Sequence, residues 1–257
     1  MLPIDSFNAF INHQQLFSAN DKVLLAVSGG KDSVLMVHLF KTAGYDIGIA
    51  HCNFNLRADE SQRDETFVRM LANTLNIPFH VKHFDTKTYA EEHKVSTQMA
   101  ARELRYTWFE NIRAEYNYQY IALAQHNDDA IETVLLNLTR GTGIAGLHGI
   151  MAKRALLIRP LLFLSRNEIE LLIAENNIDF VEDSSNATTK YARNKIRHQV
   201  VPVLKEINPN LEQTFAHNIQ RFAETEMVLQ QAVAGIKKEL FVEKQGVVHI
   251  SIEGIQG

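Results

Sequence analysis

Apolar runs of strand length alternate with amphipathic stretches along most of this sequence. Residues 23–27 read Val-Leu-Leu-Ala-Val and break at Gly29-Gly30, after which Val34, Leu35, Val37 and Leu39 recur at helical spacing. The same alternation predicts further strands at 45–52, 77–82, 120–126 and 156–160, the last ending at Pro160. Helices are expected near 7–17, from Ser61 with Phe67, Met70, Leu71 and Leu75 on its inner face, from a Ser96 or Thr97 cap, after His126, and from the capping box Ser165-Arg166-Asn167-Glu168. Gly44 sits where a helix C-cap is needed. Strand–helix alternation of this kind implies an α/β protein with a five-stranded parallel, Rossmann-like sheet covered by helices on both faces. A C-terminal helical appendage is expected over 207–240, with a new strand pattern at 247–252. The division expected is a body over 1–202 and a helical linker with the start of a further domain over 203–257.

Composition narrows the class without choosing a chemistry. The 257 residues are 46% hydrophobic and 22% charged, values ordinary for a globular protein. No apolar run approaches the roughly 20 residues of a membrane span, and Met1 to Ser6 lack the basic start and apolar core of a signal peptide. One cysteine, Cys52, excludes an intramolecular disulfide and makes a cytoplasmic setting the expectation. Cys52 itself is read as a core residue, since no activating base or cation is evident beside it. A net charge of −4 argues against indiscriminate nucleic-acid binding while leaving room for a local basic patch.

The chemistry concentrates in a few stretches. Ser28-Gly29-Gly30-Lys31-Asp32-Ser33 joins the first strand to a helix, where backbone amides and the positive helix end form a phosphate cradle. It is not the nucleoside-triphosphate loop that ends in Gly-Lys-Ser/Thr, because Asp32 follows Lys31, and it lacks the third glycine of a dinucleotide fingerprint. Beyond the second strand lie His51, Asn53 and Arg57, either a solvated loop or groups touching a ligand at the carboxyl edge of the sheet. Arg102, Arg105 and Tyr106 share a helix face, which is either solvated or a forked anion holder. His80 and His83 fall on opposite sides of a strand, so no zinc site is expected. Asp129, Glu132 and Thr133 fall on one helical face after His126; acids there complement a helix dipole, hold magnesium, or attract and deprotonate an amine. Arg140 precedes a stretch with four glycines in the nine residues 141–149, free enough for amide contacts to a substrate. Residues 190–198 carry four cations and a tyrosine, either a solvated helix face or a polyanion footprint.

The six-residue loop resembles that of the N-type ATP pyrophosphatases. Taken in order with His-Cys-Asn-Phe-Asn-Leu-Arg at 51–57, Ala-Ala-Arg-Glu-Leu-Arg-Tyr at 100–106, His-Asn-Asp-Asp-Ala-Ile-Glu-Thr at 126–133, Arg-Gly-Thr-Gly-Ile-Ala-Gly-Leu at 140–147, Arg-Pro-Leu at 159–161 and the 183–197 segment, the chain resembles the tRNA(Ile)-lysidine synthetase family from about Asp21 to His198. The resemblance implies ATP and Mg²⁺, a tRNA(Ile) with a CAU anticodon, and free L-lysine. ATP would adenylate the 2-carbonyl oxygen of the wobble cytidine, and the lysine ε-amine would then displace AMP. Ser28, Gly29, Gly30, Lys31, Asp32, Ser33, His51 and Asn53 would bind ATP, with Asp32 holding magnesium. Asp129 and Glu132 would receive the lysine ammonium, and Arg102 would lie near the phosphates or the activated base. Arg57, Arg105, Arg140, Arg193, Asn194 and Arg197 would face the tRNA. A homodimer is one option for its assembly.

Two positions depart from the family pattern: Gln125 stands where a histidine is usual and Ala130 where glutamine is usual. The family often carries further C-terminal tRNA-binding domains, so this chain reads as a fragment or a short form. The enzymatic alternative is another tRNA-modifying enzyme with the same loop; the thiolases among these generally need paired or cluster-bound cysteines, which one cysteine does not supply. A non-catalytic nucleotide- or tRNA-binding module is the alternative of another class.

Overall fold

The computed structural model describes residues 1–56, 58–182, 192–244 and 247–250. It separates into one unit made of 1–130 and 150–194 and a second made of 131–149 and 195–257.

The first unit is built on a sheet of β1 (Val23–Ala26), β2 (Ile47–Asn53), β3 (Phe79–His83), β4 (Tyr120–Ala122), β5 (Lys153–Arg154) and β6 (Leu157–Ile158), in the order β3-β2-β1-β4-β6-β5. The five expected strands are present and mutually parallel. To these five the structure adds β5, a two-residue edge strand that runs antiparallel to β6. So short a hairpin arm has no periodicity to read. The expected fifth strand is itself only two residues long, because the chain leaves the sheet before Pro160.

Alternate side chains leave the sheet on opposite faces, and each face has its own core. Leu25, Ile49 and Ala122 pack with Phe7 and Ile11 of α1 (Ile4–His13), with the buried positions Val34 to Phe40 of α2 (Lys31–Thr42), with Val68 and Ala72 of α3 (Ala58–Thr74), and with Ile169 and Ile173 of α8 (Arg166–Glu175). Leu24, Ala50 and Ile121 pack with Trp108 and Phe109 of α5 (Thr97–Glu115). Of the expected inner residues of α3, Phe67, Leu71 and Leu75 pack part-buried on this core. Met70 is instead 63% exposed, and Glu65, Val68 and Ala72 form the buried stripe, placing a carboxylate on the inner face. Ser96 caps α5, its side chain accepting from the Met99 amide, and the Ser165–Glu168 box closes at α8. Gly44 takes φ +79° just beyond α2.

α6 (Asn127–Arg140) begins in the first unit, and its later residues belong to the second. There Ile131, Ile196, Val201 and Leu211 form a small core. The second unit also holds α7 (Ile144–Leu147), a π-helical turn over Ile196–Val200, α10 (Val201–Ile207) and the 30-residue α11 (Leu211–Leu240). Beyond α11, β7 (Phe241–Lys244) and β8 (Val247–Ile250) pair as an antiparallel hairpin, which accounts for the terminal strand pattern. α4 (Thr86–Glu92) and α9 (Ala192–Lys195) complete the described helices. No helix among the described residues is long and apolar enough to cross a membrane.

Candidate functional site

In a sheet of this order β2 and β3 lie to one side of β1, and β4 and β6 to the other. The reversal opens a crevice beyond the carboxyl ends of β1 and β4. The glycine turn leaves β1 at that point. Gly29 adopts φ +100°, a conformation L side chains rarely take, and this lets the chain double back into α2. Ser33 Oγ ties the turn together: it accepts from the amides of Ser28 (3.2 Å) and Gly29 (3.3 Å) and donates to the Gly30 carbonyl (2.9 Å). The Gly30 amide donates to Ser28 Oγ at 3.3 Å. A phosphate entering here would exchange these weak internal bonds for charge-assisted ones. Lys31 points elsewhere, pairing with Glu170 of α8.

Asp32, on the first turn of α2, faces the residues that follow β4. His126 Nε2 lies 4.0 Å from Asp32 Oδ2 and 3.6 Å from Asp129 Oδ2, and His126 Nδ1 lies 3.7 Å from Asp128 Oδ2. Three carboxylates thus surround one imidazole that is 2% exposed. Asp129 also accepts from the His126 amide at 3.1 Å, and Asp128 accepts from the Arg166 amide at 2.7 Å. Burial pushes the Asp32 carboxyl above its ordinary range; His126 opposes this and the charge of Asp129 reinforces it. Asp32 Oδ1 is buried and accepts no hydrogen bond from a described residue. An orphaned, desolvated carboxylate oxygen beside a second acid fits a hard divalent cation. No group of three or more His, Cys, Asp or Glu among the described residues could hold a metal unaided. A cation held there would take its remaining ligands from phosphates and water, the habit of Mg²⁺.

The basic window reaches the acids of α6, as the sequence could not show. Arg193 Nη2 donates to the Asp129 carbonyl at 3.0 Å and lies 3.8 Å from its carboxylate. Within the second unit Arg197 grips Glu132 with both arms, Nε to Oε1 at 2.6 Å and Nη2 to Oε2 at 2.9 Å. Glu132 is 1% exposed, so this is a buried, bidentate pair. Asn194 precedes the π-helical turn that carries Arg197. Arg140 is exposed at the end of α6. In the glycine-rich stretch after it, the Gly146 carbonyl accepts from Asn137 and His148 pairs with Glu226 at 2.9 Å.

Other expected residues have local tasks. His51 is buried and bonds the Val27 carbonyl through Nδ1 at 2.9 Å; burial holds it below its ordinary value, hence neutral. The Asn53 amide donates to Glu65 at 2.9 Å. Burial would raise the Glu65 carboxyl, but donation from Asn53 and Arg69, aided by His83 at 2.7 Å, outweighs it and leaves the group low. His80 turns to the Tyr118 hydroxyl at 3.0 Å. Arg57 lies outside the described residues, as does the start of the basic window at Lys190 and Tyr191. Arg102 lies over the Tyr106 ring and Arg105 over Phe54, at 4.8 and 5.1 Å. Burial pushes the Cys52 thiol up to about 12, in keeping with a core role. Sequence reasoning assigned nothing to Glu65 or Arg159. Glu65 reads as one more polar residue in a helix, whereas an arginine directly before Pro160 at a strand end was a cue to a buried cation.

Residues 4–204 match the family model described as the PP-loop domain. A protein of Bacteroides thetaiotaomicron named tRNA(Ile)-lysidine synthase is 48% identical over 203 residues, 79% of this chain and 48% of that protein. A protein of the same name from Petrotoga mobilis is 41% identical over 210 residues, covering 80% of this chain and 67% of the relative. The chain spans about half the length of the first curated relatives it matches. Among solved structures, a U34-tRNA thiolase of Methanococcus maripaludis with its 4Fe–4S cluster superposes with a TM-score of 0.70 at 16% identity, over 86% of this chain and 80% of the other. At that identity the likeness speaks for the fold alone.

Proposed function

This chain belongs to the tRNA(Ile)-lysidine synthase family of PP-loop proteins, and from that premise we propose that it uses ATP to join lysine to the wobble cytidine of a CAU-anticodon tRNA(Ile). The observation that carries the reading is the meeting, at one strand-end crevice, of an amide-lined glycine turn with the orphaned Asp32 carboxylate, His126 and Asp129.

Cytidine C2 is a poor electrophile, so its oxygen is first made a leaving group. That oxygen attacks the α-phosphorus of ATP, the α–β bridging bond breaks, and pyrophosphate departs with the bonding electrons. The amides of the Ser28–Ser33 turn bind the phosphates as the negative charge redistributes. Asp32, with Asp129 nearby, would hold Mg²⁺, which when bound offsets charge on the departing pyrophosphate. In the second step the lysine ε-nitrogen bonds to C2 and the C2–O bond breaks, so AMP leaves with its electron pair. The amine must shed a proton to attack: the Asp129 carboxylate attracts the ammonium form and, as general base, takes that proton from it. Both Glu132 oxygens are held by Arg197, so direct contact falls to Asp129. Residues 1–202 carry this chemistry, and Arg193, which meets Asp129, and its neighbour Asn194 approach the RNA. Thiolase-type sulfur transfer finds no support in the one cysteine, whose thiol is buried and raised to about 12.

ATP–pyrophosphate exchange tests the first step, and labelled lysine entering RNA the second. Exchange dependent on a CAU-anticodon isoleucine transcript, followed by lysine incorporation, is the expected result. Exchange driven equally by an unrelated acceptor would overturn the substrate assignment.

A further inference from the structure

Arg159 follows the last residue of β6, on the same carboxyl edge of the sheet as the glycine turn, and is only 9% exposed. Its Nε donates to Gln125 Oε1 at 2.6 Å and its Nη1 to the Met151 carbonyl at 2.8 Å. Both acceptors are neutral, and no described carboxylate forms an ion pair with it. The ionisable groups acting on it are Tyr106, Arg154 and Arg102, so two of the three add like charge. Burial pushes the guanidinium below its ordinary value, and both arginines push it the same way. Of the five N–H donors a guanidinium offers, two meet these acceptors, leaving three with no acceptor among the described residues.

A buried cation held by dipoles alone is costly, and further positive charge beside it raises that cost. An oxyanion docking on the free donors removes it. A forked donor with no described acid paired to it suits a multiply charged phosphate better than a singly charged carboxylate. We propose that Arg159, held in place by Gln125 and the Met151 carbonyl, is an anion site that takes a phosphate group of the substrates. Only the source of that phosphate, nucleotide or RNA backbone, rests on the function proposed above. Gln125 is then a positioning residue, a neutral acceptor that orients Arg159 without cancelling its charge.

The isosteric variant Gln125→Glu supplies the missing counter-charge from within, and Arg159→Lys keeps charge but loses the fork. Each is titrated with inorganic pyrophosphate, with a CAU stem-loop RNA and with lysine, and melted without ligand. Gln125→Glu is expected to melt no lower than the unaltered protein and to lose about tenfold in affinity, the effect of one charge-assisted hydrogen bond, for pyrophosphate or for RNA. The affected probe identifies the source. Arg159→Lys is expected to weaken the same probe. Affinities within about twofold for both phosphate probes, an effect confined to lysine, or a lower melting midpoint in Gln125→Glu would each overturn the proposal. No readout uses lysine transfer, so failure of the lysidine reading would leave the anion site standing.

Discussion

Arg197→Met is the sharpest test of how the basic window works. The substitution keeps most of the side-chain volume and removes the fork that holds Glu132 at 2.6 and 2.9 Å. The Glu132 carboxylate is 1% exposed and the Arg197 side chain 18%, so one end is fully desolvated and the other partly wet. Breaking a buried pair by removing one partner costs ~3–5 kcal/mol. Solvent reaching the guanidinium reduces the expectation to roughly 2–4 kcal/mol, or about 5–15 °C in melting midpoint for a chain of this size. Urea titration followed by helical circular dichroism measures it, in a cycle with Glu132→Gln and the double variant. A coupling of about 2 kcal/mol is expected, with little dependence on salt because the pair is shielded from ions. Arg197→Lys keeps the charge and should still lose stability, since an ammonium cannot reproduce the two-pronged contact. Unchanged stability together with zero coupling would refute the pairing and leave Arg197 as a cation facing RNA.

Further outcomes follow from other sites. Asp32→Asn should abolish pyrophosphate exchange yet raise the melting midpoint at pH 7. The folded carboxyl is raised by burial, so its charged form costs stability, increasingly as pH climbs through the folded value; a lower midpoint would contradict this. Burial lowers His38, His51 and His80, so the unfolded chain binds more protons at acid pH. Stability should therefore fall as pH drops below about 6.5, and His51→Gln should flatten that slope in a pH series of thermal melts. Gly48→Ala would place a Cβ 1.9 Å from the Tyr118 hydroxyl and 2.5 Å from its ring, a clash with a side chain only 1% exposed. A loss of about 2 kcal/mol or more is expected, and a variant as stable as the parent in urea would disprove that packing.

Hydrophobic periodicity by itself determined the α/β class, the five parallel strands and the glycine turn, because each is a local pattern that survives in any context. The turn over Ser28 to Ser33 was legible for the same reason: a strand, two glycines and a helix start lie within a few residues. The β5 edge strand was not legible, since two residues carry no period. The inner face of α3 was legible only in part: Phe67, Leu71 and Leu75 pack on the core as expected, while burial falls on Glu65, Val68 and Ala72 and not on Met70. Resemblance put Asp129, Glu132 and the arginines forward as candidate site residues but not their partners. That Arg197 holds Glu132 across 65 residues, that Arg193 meets Asp129 across 64, and that Gln125 supports a buried Arg159 across 34 are facts of the tertiary structure alone. The physical reason is that burial is a property of the assembled fold. A charge in sequence is solvated by default, and only the packing around it decides whether it must find a partner.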